Sequence, residues 1–365
     1  MTVDRFDELR RTLETHGEPP CPELWLTLAE VLGDGAANNR PISIERLKKK
    51  VYRVRDGGDP SRSLVLKRHR DAGDARRARL VRERWLPALG LETSCPLVLG
   101  TAADRHGRWV WQLYEDFGVD TLLTRPDRAH LTAAIDVIAE LHTRAAGHPL
   151  LCQVRAAGGD YGVHHFWSAL GDAERALEAL PASRLPGEAG RARDRLRQHL
   201  HRLRHDTRRA RVLAEAAEPE TLLHGDLLAK NVIVAERRSR WSVTLIDWDH
   251  VGVGPVSYDL STFLTRFPAP EREWIVSRYR DAVRRLDGHV PDLPALNVLC
   301  DTAEQARCAE YVASLASKIL LDGERVAPSG LVEIEGWFQA LQPLLPVTTR
   351  RRTSMLAPSG KRASR

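Results

Sequence analysis

The stretch Leu222-Leu223-His224-Gly225-Asp226-Leu227-Leu228-Ala229-Lys230-Asn231-Val232-Ile233-Val234, followed by Leu245-Ile246-Asp247-Trp248-Asp249, decides how this chain is read. Apolar residues flank each polar cluster, the pattern of a loop that runs into a short hairpin. Phosphoryl transfer needs one carboxylate beside the attacking hydroxyl, plus an amide oxygen and a second carboxylate to hold Mg²⁺ on the nucleotide phosphates. Asp226, Asn231 and Asp247 supply all three residue types on loops between apolar strands, where chemistry is commonly sited.

His-Gly-Asp, an Asn five residues after the Asp, and an apolar strand ending in Asp-Trp-Asp together resemble the aminoglycoside phosphotransferase and choline kinase family of the protein-kinase-like fold. The resemblance spans roughly residues 42 to 345 and is most specific over 224 to 260. It implies an α+β, two-lobed protein with a small antiparallel-sheet lobe and a larger, mostly helical one. It also implies that Asp226 accepts or orients the proton of the substrate hydroxyl, and that Asn231 and Asp247 ligate Mg²⁺ through oxygen. His224 and Asp259 then support the catalytic loop. Asp249 stays open between a contact to metal or substrate and an exposed loop carboxylate.

Upstream, residues 42 to 47 and 51 to 55 alternate apolar with polar, and Ser63-Leu64-Val65-Leu66-Lys67 completes a plausible three-strand sheet. Lys67 falls where related kinases keep the lysine that grips the nucleotide phosphates. Lysine is scarce, seven against forty-eight arginines, which makes its place at a strand end more telling. Glu83, in the helix-like run from Ala75 to Trp85, is expected to position Lys67. The turn between the first two strands reads Leu47-Lys48-Lys49-Lys50-Val51 where many relatives have glycine. Lys48 and Lys49 either screen the triphosphate or belong to a solvated turn. Gly57 and Gly58 suit the next hairpin turn. Trp109 to Gly118 reads as a strand leading into a hinge, whose backbone near Glu115 to Phe117 would meet the adenine. Leu131 to His142 has helical spacing, with His142 as a helix-end residue rather than a catalyst.

The chain of 365 residues, 42% hydrophobic, is long enough for two lobes around one cleft. The expected division is a helical extension over 1–39, a nucleotide-binding lobe and hinge over 40–118, a catalytic and acceptor-binding lobe over 119–347, and a basic, disordered tail over 348–365. No run approaches the roughly 18 apolar residues of a membrane span. The charged, amphipathic start does not resemble a secretory signal. Cysteines 21, 95, 152, 300 and 308 follow no metal or redox spacing, as suits free thiols in the cytoplasm. The net charge of +6 equals the six basic residues of Thr348 to Arg365, so it argues little for nucleic acid. Arg191 to Arg211 reads as one basic helix with a leucine stripe, and Asp301 to Leu321 as a helix carrying Asp301, Glu304 and Glu310.

The expected function is Mg²⁺-dependent transfer of the γ-phosphate of ATP or GTP to a hydroxyl of a small molecule, with an antibiotic of the aminoglycoside or related type as leading acceptor. The alternatives are a kinase of a sugar, amino sugar or choline-like metabolite, and a non-catalytic nucleotide-binding regulator. A protein kinase is disfavoured, because Asp259 follows Asp247 by only twelve positions. That leaves no room for a long activation segment.

Overall fold

The computed structural model describes residues 6–33, 42–56, 59–69, 71–185, 187–215, 219–237, 240–322, 326–341 and 343–345. The Gly57-Gly58 turn and the basic tail lie outside them. The smaller lobe is a five-stranded antiparallel sheet in the order β1-β2-β3-β5-β4, built from Ile42–Lys48, Val51–Asp56, Asp59–Arg68, Val110–Glu115 and Val98–Ala103 for β1, β2, β3, β5 and β4. Successive side chains of a strand point to opposite faces. Tyr52, Val54, Leu64, Leu66, Trp111 and Leu113 therefore share one face, where they pack with Leu9, Leu13, Leu24 and Leu28 from helices α1 (Asp7–Thr15) and α2 (Pro22–Leu32). Gly100 has no side chain because an added Cβ would lie 2.6 Å from Thr27 of α2. The opposite face presents Val51, Arg53, Val65 and Lys67 to the cleft.

Helix α3 (Ala72–Leu80) starts on Asp71, whose carboxylate accepts the Asp74 N–H. It continues through a π turn at Val81–Trp85 into the short α4 (Leu86–Ala88). The run expected from Ala75 to Trp85 is thus helical but carries a one-residue register change near its end. Val81, Trp85 and Leu86 join the core of the larger lobe, so this helix is seated on both lobes.

In the larger lobe, α5 (Arg128–Ala145) and α6 (Leu151–Ala157) precede β6 (Gly159–Asp160), α7 (Val163–Ala179), α8 (Glu188–Arg204) and α9 (Thr207–Glu215). The expected single basic helix is therefore two. Asp206 interrupts it by accepting the Arg209 N–H, which starts a new helix. Its leucines at 196, 200 and 203 are buried against α7, α12 (Leu293–Asp322) and α13 (Gly330–Ala340). Helix α12 begins earlier than its acidic segment suggested, because Asp292 accepts the Ala295 N–H and Pro294 is tolerated in a first turn. The segment that carries Asp226, Asn231 and Asp247 follows as β7 (Thr221–Leu223), the hairpin β8 (Val232–Arg237) and β9 (Arg240–Leu245), and β10 (Gly252–Gly254), which lies between β6 and β7. Helices α10 (Val256–Leu264) and α11 (Ala269–Arg285) come next. Among the described residues, no helix is long and apolar enough to cross a membrane, and the five cysteines are free thiols.

Candidate active site

Strand β7 ends at Leu223, and the chain turns sharply at Gly225, whose φ is +81°. A Cβ there would sit 1.8 Å from the His250 carbonyl oxygen, so both the angle and the close approach require glycine. Asp259, fully buried in the first turn of α10, accepts the backbone N–H of His224 at 2.7 Å and of Gly225 at 2.9 Å. His142 adds a bond from Nε2 at 3.3 Å, while its Nδ1 faces the Tyr279 hydroxyl at 2.9 Å. Burial opposes ionisation of Asp259, but the bond and charge of His142 together with the His224 N–H outweigh it and hold the carboxyl below its ordinary value. His142, read from sequence as a helix-end residue rather than a catalyst, lies in the last turn of α5, where it is a buried support of this brace. Its contact spans 117 residues of chain and leaves no local pattern.

His224 is buried, and burial pulls its pKa down. Its Nε2 donates to the Ile246 carbonyl at 2.9 Å and its Nδ1 faces the Asp226 N–H at 3.4 Å. Both nitrogens of the neutral ring are thereby used, which ties the Asp226 loop to the strand end before Asp247. Asn231 donates from Nδ2 to the Asp226 carbonyl at 2.8 Å and to its carboxylate at 3.1 Å. Gly225→Ala should cost roughly 1–3 kcal/mol through the left-handed backbone alone, before the collision with His250. A thermal melt and a turnover assay should both register the loss.

Between the lobes lies a cavity of about 400 Å³, lined by Lys48, Arg53, Val65 and Lys67 from the sheet and Glu115, Asp116 and Phe117 from the hinge. Asn231, Ile246, Asp247 and Asp249 line it from the larger lobe. Asp247 adopts φ +70° and ψ +53°, a left-handed conformation that a non-glycine residue keeps only where its surroundings impose it. Lys67 Nζ donates to Asp247 at 2.5 Å and to Asp249 at 2.7 Å. Lys48 Nζ reaches the other Asp247 oxygen at 2.7 Å. Burial would lower the Lys67 pKa, yet the two carboxylates outweigh it and hold it above the ordinary lysine value. Asp247 is held far below the usual carboxylate range, because the two lysines overcome its desolvation. Behind this group His69 is driven down to about 4 by burial and by Lys67, so it adds no charge at neutral pH.

Asp116 accepts two bonds from Arg53, at 2.6 and 3.1 Å, one from Ser63 at 2.5 Å and the Gly118 N–H at 2.9 Å. This network fixes the hinge to the sheet, and its residues escaped the sequence reading because Arg53 and Asp116 are far apart in the chain. Lys49 is exposed and lines no part of the cavity, in keeping with a solvated turn. Glu83 is the clearest correction. Its side chain is 54% exposed and bonds Arg79 at 3.0 Å, one helical turn earlier, rather than Lys67. Ala78 and Arg82 are the residues that this helix turns toward the cleft. Asp249, left open by sequence, is 14% exposed and pairs with Lys67.

The geometry suits a Mg²⁺-bound nucleotide. Asn231 spends its amide nitrogen on Asp226, leaving the amide oxygen, a hard donor, for another partner. Among the described residues no cluster of three His, Cys, Asp or Glu side chains forms a ready-made metal cage. Mg²⁺ is usually held by one or two protein oxygens together with substrate phosphates, and Asn231 Oδ1 and an Asp247 carboxylate oxygen are donors of that kind.

A family model described as the phosphotransferase enzyme family matches residues 40–299. The chain belongs to that family. No curated protein sequence matches it significantly. Among solved structures it is similar to the spectinomycin phosphotransferase APH(9)-Ia bound to ADP and spectinomycin, at 15% identity and a TM-score of 0.53, covering 88% of this chain and 95% of the other. It is similar to the GDP complex of aminoglycoside 2'-phosphotransferase-IIIa, at 15% identity and a TM-score of 0.56, covering 87% and 99%. It is also similar to a Plasmodium vivax ethanolamine kinase, at 12% identity and a TM-score of 0.54, covering 93% and 94%. At such identities the likeness establishes the protein-kinase-like fold, and the family establishes a phosphotransferase.

Proposed function

We propose that this phosphotransferase transfers the γ-phosphoryl group of ATP or GTP, with Mg²⁺, to a hydroxyl of a small molecule. The observation that carries the reading is the meeting of Lys67, Asn231 and Asp247, from three separate elements, on the walls of one interlobe cavity, with Asp226 bonded to Asn231 at its edge. Lys67 and Lys48 offer the phosphates two cations on one wall, so charge takes over the part that close backbone approach plays in a glycine turn. The backbone near Glu115 to Phe117 receives the base. Asn231 and Asp247 hold the metal, which neutralises charge on the phosphates when bound. Asp226 orients the acceptor hydroxyl and takes its proton, while the brace of Asp259, His224 and His142 keeps that carboxylate in place. Catalysis by such a site is positioning and charge stabilisation. The short β10 leads directly into α10, which leaves no platform for a protein substrate.

For the acceptor, the resemblance and two of the structural neighbours favour an aminoglycoside-type or related antibiotic. One observation favours a second reading. A smaller cavity of about 110 Å³ is lined by Tyr161, Phe166, Tyr258, Leu299 and Ala303, with Glu220 among its few polar groups. Tyr161 donates to the His250 carbonyl at 2.9 Å, the same oxygen that packs on Gly225, so this cavity adjoins the catalytic loop. Glu310 beside it faces His165 Nε2 at 3.6 Å, and three other acids nearby have arginine partners: Glu220 with Arg155 at 2.7 Å, Asp301 with Arg209 at 2.5 Å, and Glu304 with Arg307. A polycation would compete with those partners, whereas a sugar or another weakly charged, hydroxylated molecule would not. Mass spectrometry of the protein incubated with ATP or GTP, Mg²⁺ and a panel of aminoglycosides, related peptides, sugars, amino sugars and choline tests both readings. A product heavier by one phosphoryl group is expected, lost when EDTA removes the metal and restored by Mg²⁺. Nucleotide binding with no product from any acceptor would favour a non-catalytic regulator.

A further inference from the structure

We infer that Asp249 is the residue that positions Lys67 for the nucleotide phosphates, in place of an acid on the helix that follows β3. This rests on the nucleotide site proposed above. Lys67 emerges from β3 on the cleft face and its ammonium meets two carboxylates, Asp247 at 2.5 Å and Asp249 at 2.7 Å. These two partners are not equivalent. Asp247 is shared with Lys48, and its oxygens are the ones the metal would take. A carboxylate engaged by a divalent cation has little negative potential left for an ammonium, so Asp249 is the partner that persists when nucleotide is bound.

The acids on the helix side of the site bond arginines of their own helix, Asp74 with Arg77 and Glu83 with Arg79. From α3 and the π turn, Ala78 and Arg82 face the cleft, four residues apart and so on one face. Glu83 follows Arg82 by one residue, about a quarter turn round the helix, and is drawn outward to Arg79. The π turn that contains both residues shifts the helical register there by widening one turn. The inward position is thus cationic, with the Arg82 guanidinium bonded to the Glu92 and Cys95 carbonyls.

Asp249 is held firmly enough for the task. It lies in the turn Trp248–His250, where the buried Trp248 donates its indole N–H to the Leu245 carbonyl at 2.8 Å. Arg77 of α3 donates to the Asp249 carbonyl at 3.2 Å. Lys67, α3 and the strand-end turn after β9 are therefore linked through this one residue. The helix still contributes to the positioning of Lys67, but through the backbone of Asp249 rather than through a carboxylate of its own.

The test is calorimetric binding of ADP, with Mg²⁺ and with EDTA, to the wild type, Lys67→Ala, Asp249→Asn, Asp249→Glu, Glu83→Gln and the Lys67→Ala/Asp249→Asn double variant. Melting curves confirm that each is folded. Asp249→Asn should weaken ADP by on the order of tenfold with Mg²⁺ and by less with EDTA, where Asp247 is free to hold Lys67, with partial recovery in Asp249→Glu. The double variant should be no weaker than Lys67→Ala, because residues acting through one interaction are non-additive. Glu83→Gln should bind as the wild type does. Losses that add in the double variant, a loss seen only with EDTA, or a Glu83→Gln defect matching Lys67→Ala would each overturn the assignment. A wild-type protein that binds no ADP would overturn the proposed nucleotide site itself, a separate and distinguishable failure.

Discussion

Asp226→Asn is expected to lower turnover by about 10²–10⁴-fold while leaving ADP affinity within about twofold, because a proton-accepting carboxylate typically contributes a factor of that order. The substitution preserves side-chain size, and the main features of the loop do not depend on the carboxylate. Asn231 still donates to the residue 226 carbonyl at 2.8 Å, and Asp259 still binds the backbone N–H groups of His224 and Gly225. A fall in kcat without a matching change in nucleotide affinity is the pattern of an interaction made in the transition state. His224 offers no alternative base, since its nitrogens are used by Ile246 and by the Asp226 N–H. Turnover within a few-fold of the wild type would remove Asp226 from the role proposed for it.

Asp259→Asn should combine a stability loss of roughly 2–4 kcal/mol with a loss of most activity. The native carboxylate satisfies two backbone N–H groups and faces His142 Nε2, all in the interior. An amide brings one oxygen and an NH₂ group, so one of these donors would meet another donor. The pH dependence follows from the sign of the shift. Because the folded carboxyl is held below its ordinary value, its contribution is complete above the unfolded pKa of about 3.9 and is lost as pH falls through the folded value. The wild-type melting temperature should therefore drop more steeply below about pH 4 than that of Asp259→Asn. Melting curves between neutral and acid pH check both the size of the loss and the convergence of the two proteins. Equal stability at neutral pH would show that the brace is dispensable.

The candidate catalytic segment was legible because the residues proposed for it are local in sequence. Asp226 and Asn231 sit on one short loop, Asp247 ends the next strand, and apolar runs on either side announce the hairpin that carries them. The period of two along a strand separates Leu64 and Leu66, on the core face of β3, from Val65 and Lys67 on the cleft face. Composition and length allowed two lobes around one cleft, and no run of the sequence approaches the length of an apolar membrane span. None of this required knowledge of which distant segments meet.

Tertiary structure decided the partners. The sequence placed an acid on the right helix, but a π turn and the attraction of Arg79 put Glu83 in solvent and turned Arg82 inward. A single residue of helical register rotates a side chain by about 100°, an effect too small for hydrophobic periodicity to resolve. Asp249 gained its place beside Lys67 across 182 residues of chain, and His142 its place beside Asp259 across 117. The sequence by itself determined which groups could perform phosphoryl transfer, because residue type and local spacing carry that information. Which carboxylate grips the lysine, which histidine braces the loop and how the acids near the smaller cavity are neutralised were decided only by packing, because those contacts join segments with no local sequence relation.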